Sequence, residues 1–430
     1  MPAPRLSRAA TFWTAAALLV LVLAASAAPS PLYRVYQERF GFSPGVLTAV
    51  FGIYAFALLA ALLVIGRLSD HVGRRPVLIA GLLLQVAAGL LFLSADGVGW
   101  LLTARVVQGL SVGALTGTLG ATLLDAQRSD RPRAALLNTA SPGVGLALGA
   151  VAAGLAIEGL AAPTTWVFGV VAVVFSLAVL VVVLLLPETA PRAPGALASL
   201  RPRVHVPAAQ RGAFLVAAPC LVALWALGGL YLSLGPSLAA GVFGVEDHLV
   251  GSLLLVAVNG TGAVASLVFW RADPHTAMLA GCLVFATGVS ATVVSLTTGG
   301  TALFFTAAAV SGSGFGAAFL GAVATVTRGV APGERGGLLS SVFVVGYLAF
   351  SVPAMLAGLA AGQVGLRPTG QVYGAAVVVL ALAAAAGLLH RRRGEQRARA
   401  VERPAPLKDP LAPHHSQARG GALQGGRGQL

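Results

Sequence analysis

The chain has 430 residues, of which 57% are hydrophobic and 10% are charged, and its mean hydropathy is +0.87. Its apolar residues form runs of about twenty, long enough to cross a bilayer as helices, so the composition excludes a soluble globular protein. The formal net charge of +14 would suggest a nucleic-acid partner in a soluble chain, but here the basic residues fall in short loops and in the tail. Membrane topology explains that distribution, and we expect no nucleic-acid partner.

The apolar runs predict an all-α integral membrane protein with twelve membrane helices. In chain order these are expected near residues 11–38, 44–66, 76–95, 98–126, 134–158, 164–187, 212–236, 247–270, 275–297, 300–327, 337–362 and 370–390. Pro29 and Pro31 predict a kink or an end in the first helix. Ser43 supplies an N-cap hydroxyl to the second helix, and Pro44 occupies its first position, where a missing N–H costs nothing.

Two segments are predicted to lie outside the membrane. Residues 188–211 are rich in proline and arginine and indicate a cytoplasmic linker between six-helix bundles at 1–187 and 212–390. Residues 391–430 are expected to form a disordered basic cytoplasmic tail. The first apolar run, with the small residues of AASAAPS at 24–30, also resembles a cleaved secretory signal, although an uncleaved helix completes an even-numbered set.

The basic residues predict the orientation of the chain in the membrane. With these helix positions, 24 of the 28 fall on the side that holds both termini. Arg34, Arg39 and Arg367 fall on the other side, and Arg105 lies within a helix. By the positive-inside rule both termini are cytoplasmic, and we expect a multi-pass protein of the plasma membrane.

An internal repeat relates the two predicted bundles. At an offset of 203 residues, LTARVVQGLSVGA from Leu102 lies over FTAAAVSGSGFGA from Phe305 with six identities in thirteen positions. The same offset aligns Asp70 with Asp273 and places opposite charges together at Asp125 with Arg328 and at Arg131 with Glu334. A parallel six-helix repeat of this kind is typical of transporters with a central pathway, although alanine- and glycine-rich helices also match by chance.

The segment GRLSDHVGRRP at residues 66–76 concentrates charge between two apolar runs. Gly66 and Gly73 allow a tight reversal between helices, and Asp70 can offer its carboxylate to a helix N-terminus. The planar guanidinium of Arg74 can bridge two carboxylates. In the simpler alternative, Arg67, Arg74 and Arg75 only anchor the loop in the cytoplasm.

These residues carry a resemblance to the major facilitator superfamily of secondary transporters. Its loop signature between helices two and three is G-x-L-[AS]-D-[RK]-x-G-R-[RK], which this chain matches at Gly66, Leu68, Ser69, Asp70, Gly73, Arg74 and Arg75, with His71 at a usually basic position. The resemblance implies a conformational latch of Gly66, Asp70, Gly73, Arg74, Arg75 and Asp125 with the start of helix eleven near Gly336 and Gly337. Such a latch would close the cytoplasmic side when the pathway opens outward.

Two further motifs extend the resemblance over residues 11–390. Arg105, Gln108 and Gly109 are similar to the R-x-x-Q-G motif of the fourth helix. GLALGAVAAG at 145–154 is similar to the antiporter motif G-x-x-x-G-P-x-x-G-G, but Ala150 replaces its proline and Ala153 a glycine.

Several polar residues are candidates for the transport pathway. A charge inside a membrane helix is expensive, so Arg105 is expected to face the bundle interior; the alternative is that it extends to the membrane surface. The candidates for coupling and substrate contact are Arg105, Gln108, Asn138, Tyr231 and Asn259, and Trp225, Tyr54 and Tyr347 are expected to line the cavity. Any of these side chains could instead bond a neighbouring helix.

The function expected is secondary active transport of small organic molecules, with efflux of drugs or metabolites by proton antiport as the leading hypothesis. No Walker A pattern occurs, so a proton or other ion gradient is the expected energy source. Alternatives are an importer or facilitator of sugars or similar solutes, and a membrane sensor that transports nothing. GLSVG at 109–113 fits a serine-hydrolase pattern but lies within a helix, and we expect no enzyme, cofactor or metal. The expected assembly is a monomer in the lipid bilayer.

Overall fold

The architecture is entirely helical in a computed structural model that describes residues 5–127 and 133–401. The helices are α1 (Arg8–Ala27), α2 (Pro29–Phe40), α3 (Pro44–Ile65), α4 (Ser69–Val72), α5 (Arg74–Leu93), α6 (Val98–Ala126), α7 (Arg133–Gly159), α8 (Pro163–Leu184), α9 (Ala196–Ser199), α10 (Arg211–Phe243), α11 (His248–Phe269), α12 (Pro274–Thr298), α13 (Thr301–Thr327), α14 (Pro332–Val364) and α15 (Leu366–Val401). Within these two ranges, twelve segments are long and apolar enough to cross a membrane, with α1 and α2 counted as one. The predicted fold class is confirmed.

The first membrane segment is interrupted at Ala28, between α1 and α2. Pro29 and Pro31 have no N–H, so the carbonyls of Ala25 and Ala27, four residues earlier, lose their helical donors. The proline pair predicts an interruption here, and the structure confirms it. A membrane helix tolerates such a break only where other groups bond the released carbonyls.

Three predicted helix boundaries are wrong. Helix α10 continues through Pro236 to Phe243, because a proline inside a membrane helix does not have to end it. Helix α14 begins earlier than expected, at Pro332, a first-turn position that suits proline. Helix α15 runs to Val401, so residues 391–401 are helical where a disordered tail is expected. The remaining tail, 402–430, and Arg131 lie outside the described residues.

The internal repeat is visible in the helix packing. In each half, two glycines of one helix press against backbone carbonyls of a partner helix, α6 on α3 and α13 on α11, so that a Cβ would collide. The pairs are Gly109 with Tyr54, Gly113 with Leu58, Gly312 with Val258 and Gly316 with Gly262. The glycines match at an offset of 203 and the carbonyls at 204, so both halves use the same close helix contact.

The helix bundle has two ends, which we call the linker face and the far face. The linker face is the end where α3 finishes and α5 begins, and the linker residues lie beside it. There, His71 Nδ1 lies 2.9 Å from the carbonyl oxygen of Pro194, and the N–H of Ala193 donates to the carbonyl of His71. The far face is the opposite end. Residues up to Leu388 form one compact unit, and its division into two bundles and its orientation in a cell stay predictions.

Candidate latch and transport site

Arg74 lies at the centre of a charged cluster on the linker face. Its Nε–H donates to Asp125 Oδ2 at 3.1 Å, and its Nη1 donates to Ser69 Oγ at 2.8 Å and to the Asp70 carboxylate. The exposed fractions of the Arg74, Asp125 and Asp70 side chains are 11%, 28% and 52%. The buried guanidinium therefore holds two carboxylates in place, and that of Asp70 faces outward.

Glu188, just beyond the end of α8, completes the cluster and is absent from the predicted set. Its Oε1 accepts the N–H of Arg74 at 2.7 Å, and its Oε2 accepts the N–H of Arg75 at 3.2 Å. These are first-turn donors of α5 with no helical partner, and a carboxylate there also complements the helix dipole. Gly73 has φ 98°, and a Cβ on it would collide with the Glu188 carboxylate. A glycine is therefore required at residue 73 both by its backbone and by its neighbour.

Arg75 and Gly66 have different roles from those expected. The Arg75 side chain turns away from Asp70 and donates to the carbonyls of Val182 and Val183, which fastens the start of α5 to the end of α8. Gly66 has φ −52°, an ordinary helical value, so the reversal needs no special backbone there. A Cβ at Gly66 would press on a carbonyl of α3, and space alone favours glycine.

The start of α14 lies beside the linker in this structure. The N–H of His205 donates to the carbonyl of Gly337 at 3.2 Å, and the carbonyl of Arg203 is the other close neighbour. Within the described residues, the side chain of Asp70 bonds only Arg74. The part of the latch that belongs to the first half is thus assembled, and its expected contact with α14 is not made in this conformation.

Arg105 is 1% exposed and faces the interior of the bundle, so the alternative that it extends to the membrane surface is wrong. Its Nη1 donates to the carbonyl of Ser26 at 3.2 Å and to Gln108 Oε1 at 2.5 Å, and Gln108 Nε2 donates to the carbonyl of Ala25 at 3.0 Å. These carbonyls lie at the break between α1 and α2. Since Pro29 cannot donate to Ala25, the side chain of Gln108 replaces the missing helical bond.

Two tyrosines cover the Arg105 guanidinium. Its Cζ lies 4.2 Å from the ring centroid of Tyr54 and 5.7 Å from that of Tyr33. The ion pairs of the described residues do not include Arg105. Its charge is therefore balanced by ring faces and carbonyl oxygens rather than by a carboxylate. Tyr33, which belongs to α2, is buried beside this charge.

An aromatic group continues from Tyr54 into the second half. The ring of Trp225 lies 4.7 Å from Tyr347 and 5.8 Å from Phe350, and Phe350 lies 4.9 Å from Phe51 in the first half. Trp225 Nε1 is buried and, among the described residues, has no hydrogen-bond acceptor. Ring faces with one unused donor are suited to a flat organic molecule that carries an acceptor.

Three predicted pathway residues bond to helices instead. The Tyr231 hydroxyl lies 3.0 Å from Thr292 Oγ1, and its buried ring lies 6.3 Å from that of Phe304. Asn138 Nδ2 donates to the carbonyl of Gly120 in α6 at 3.5 Å. Asn259 Nδ2 donates to a carbonyl one turn earlier in its own helix. Tyr231 and Asn138 therefore bond neighbouring helices and Asn259 its own, and their place in the pathway stays a prediction.

The two halves meet near the far face. A Cβ on Gly154 of α7 would lie 3.0 Å from the Cβ of Ser252 in α11, and Glu158 Oε1 accepts the N–H of His248 at 2.8 Å. Helices α3 and α14 approach equally closely, at Thr48 with Gly358 and at Gly52 with Met355. Small residues allow this close approach. Gly154 ends the GLALGAVAAG segment, but no motif identifies its partner Ser252.

Fold and site together define a twelve-helix membrane protein of two repeated halves with a buried polar and aromatic centre. A family model described as Major Facilitator Superfamily matches residues 14–352. The chain belongs to the major facilitator superfamily of transporters, as the loop signature predicts.

The fold is similar to two crystal structures of a bacterial homolog of the human lysosomal transporter Spinster. The inward-facing, unoccupied form has a TM-score of 0.69 and 15% sequence identity, and the match covers 93% of this chain and 99% of that one. The inward-facing, occupied form has a TM-score of 0.66 and 16% identity, with 90% and 97% covered. At such identity the likeness establishes the fold alone.

Curated relatives match over shorter segments. Multidrug resistance protein MdtL of Klebsiella pneumoniae (strain 342) is 35% identical over 107 residues, 25% of this chain and 27% of the relative. The class C tetracycline resistance protein of Escherichia coli is 36% identical over 124 residues, 28% of this chain and 30% of the relative. The matches thus span under a third of either relative.

Proposed function

We propose that the protein exports small organic molecules by alternating access, driven by a proton or other ion gradient. The observation that carries this proposal is the arrangement of the two halves, which are in close contact near the far face and share the aromatic group of Trp225, Tyr347 and Phe350 deeper in the bundle. The partial likeness to two proteins named for drug resistance supports the outward direction.

The cargo is a neutral or amphipathic molecule with a flat ring system. Aromatic faces supply stacking area, Trp225 Nε1 supplies one donor, and the described ion pairs place no carboxylate beside Arg105. A multiply charged cargo would need several opposite charges in this region. A small apolar site with few polar groups is typical of proteins that accept many related ligands.

Asp70 acts as the moving contact of the latch. Arg74, Asp125 and Glu188 hold Asp70 at the linker face, with its carboxylate half exposed. When the far face opens, the start of α14 reaches this carboxylate, which is stabilised by the positive end of the helix dipole. The buried arginine therefore positions the latch, and Asp70 makes or breaks the contact.

A flux measurement tests the proposal. Purified protein in proteoliposomes is given labelled tetracycline, an aromatic lipophilic cation and a hexose, with and without an imposed proton gradient. We expect the aromatic compounds to accumulate and their flux to fall when an ionophore collapses the gradient. Accumulation of the hexose alone would support the importer instead, and equal fluxes with and without the gradient would contradict ion coupling.

A further inference from the structure

A cavity of about 600 Å³ lies at the linker face beside the latch cluster, with which it shares Glu188. It lies where the start of α5 meets the end of α8, and its lining comprises three guanidinium groups, one carboxylate and two apolar side chains. These are Arg5, Arg75, Arg192, Glu188, Pro76 and Ile79. The volume is sufficient for a small ligand or the head of a lipid.

The carboxylate in this lining does not neutralise the arginines. Glu188 Oε1 accepts backbone N–H groups from Arg74, Thr189 and Ala190 at 2.7, 3.1 and 3.3 Å, and Oε2 accepts that of Arg75 at 3.2 Å. A carboxylate with four backbone donors already has its charge stabilised. The described ion pairs include neither Glu188 nor any arginine of the cavity.

The three guanidinium groups retain unused donors. Arg75 donates from Nε and Nη2 to carbonyls at the end of α8, and in the described chain Nη1 has no recorded acceptor. Over the same residues, the side chains of Arg5 and Arg192 form no ion pair. Three positive groups thus converge on one space with one committed negative group, which leaves a net charge suited to an anion.

We propose that this cavity binds a phosphate group, presented by an anionic phospholipid or free in solution. The planar fork of arginine matches phosphate oxygens bidentately, and basic pockets at the ends of membrane helices accept acidic headgroups. Pro76 and Ile79 form an apolar wall that continues into α5, beside which an acyl chain can lie. Binding here is independent of the transported cargo, so its test does not depend on finding that cargo.

Lipid retention by the full-length protein tests the site. Purified protein is titrated in detergent with phosphatidylglycerol or phosphatidylcholine, and bound lipid is counted by native mass spectrometry. The double variant Arg5→Gln/Arg192→Gln removes two charges from the cavity and is expected to weaken phosphatidylglycerol binding about 25-fold, from roughly a factor of five per arginine. The matched variant Arg201→Gln/Arg203→Gln removes two exposed linker charges outside the cavity and is expected to change binding less than about twofold.

Inorganic phosphate distinguishes the two sources. If millimolar phosphate displaces phosphatidylglycerol from the wild-type protein, the site also accepts free phosphate; if it does not, the ligand is the lipid. Either result supports the proposal when the cavity variant binds weakly and the linker variant binds normally. Equal losses in both variants, or wild-type protein that retains phosphatidylcholine as well as phosphatidylglycerol and binds no phosphate, would overturn it. The wild-type comparison requires no variant to fold.

Discussion

Gln108 is the residue through which the fourth membrane helix supports the break in the first. Its amide oxygen accepts from Arg105 and its amide nitrogen donates to the carbonyl of Ala25, so both ends of the side chain are used. Gln85 is buried to the same degree, yet neither of its amide atoms has a partner among the described residues. The two glutamines are therefore equally buried, but only Gln108 has hydrogen-bond partners among the described residues.

Replacing each glutamine by leucine measures that difference. Gln108→Leu leaves the Ala25 carbonyl and one Arg105 donor unpaired and is expected to lower the free energy of unfolding by about 1–3 kcal/mol. Gln85→Leu removes a buried amide without breaking a recorded bond and is expected to be neutral or stabilising. Denaturant titration in detergent measures both. Equal destabilisation of the two variants would show that the hydrogen bonds of Gln108 do not contribute to stability.

Asp70→Asn tests the moving contact of the latch. The substitution removes the charge that the α14 N-terminus is proposed to bind, a loss of about 0.5–1 kcal/mol at an exposed site. Flux should fall about two- to fivefold, because the outward-open state becomes less populated. Asp96→Asn removes one exposed charge from the far face and serves as the control. The latch is contradicted if Asp70→Asn leaves the flux of every transported compound unchanged.

Sequence reasoning finds the residues of the cluster that share one motif and misses those brought in by the fold. Asp70, Arg74 and Asp125 follow from the loop signature and the end of the fourth helix. Glu188 lies 114 positions from Arg74 along the chain, and its context at a helix end indicates only a stop. Tyr33 belongs to no motif, and only the fold shows that its ring lies beside Arg105.

At the scale of elements, the interrupted α1–α2 segment is the feature that organises the site. Pro29 releases the carbonyl of Ala25, and α6 supplies the side-chain donor that replaces the lost helical bond. The break and the fourth-helix motif are therefore one structural unit, although the sequence presents them as separate signals.

Restoring the helical donor should make Gln108 dispensable. In a Pro29→Ala background, the new N–H at residue 29 can bond the Ala25 carbonyl, so Gln108→Leu should cost about 1 kcal/mol less than in wild type. Pro31→Ala is the matched control, because its N–H would face Ala27 instead. A double-mutant cycle on the free energy of unfolding measures the coupling. If Gln108→Leu cost the same in wild type, Pro29→Ala and Pro31→Ala, the proposed coupling between Gln108 and the helix break would be contradicted.

Helix existence is predictable from the sequence, whereas several helix ends are not. Apolar runs of membrane length are unambiguous, and all twelve occur in the described chain. Periodicity does not reveal where α10 ends, because Pro236 is accommodated within the helix. The continuation of α15 to Val401 is missed for a different reason, since its arginine-rich end has high helix propensity but composition typical of a tail.

At the scale of the molecule, two halves with the same internal glycine contacts meet through separate contacts near the far face. The repeat could be predicted, because its glycines recur at one offset. The contacts between halves could not. Gly154 ends the GLALGAVAAG motif, but nothing in the sequence identifies Ser252 as its partner, because their proximity depends on how two complete bundles pack. We expect these contacts to close the far-face end of the proposed pathway.

Cross-linking α7 to α11 at the far face should therefore hold the protein in one conformation. The cysteine pair Gly154→Cys/Ser252→Cys starts from a Cβ separation of 3.0 Å and needs a shift of about half an ångström to reach disulfide geometry. The control pair Gly89→Cys/Ala172→Cys has a Cβ separation of 3.5 Å and lies within the first half, between α5 and α8.

Both pairs are best made without the native thiols of Cys220 and Cys282, whose Sγ atoms lie 3.4 Å apart in the second half. Flux of the best-transported aromatic compound is measured before oxidation, after oxidation and after reduction. The account predicts that oxidation abolishes flux in the far-face pair, that reduction restores it, and that the control pair transports throughout. Undiminished flux through protein fully cross-linked between α7 and α11 would contradict alternating access at this interface.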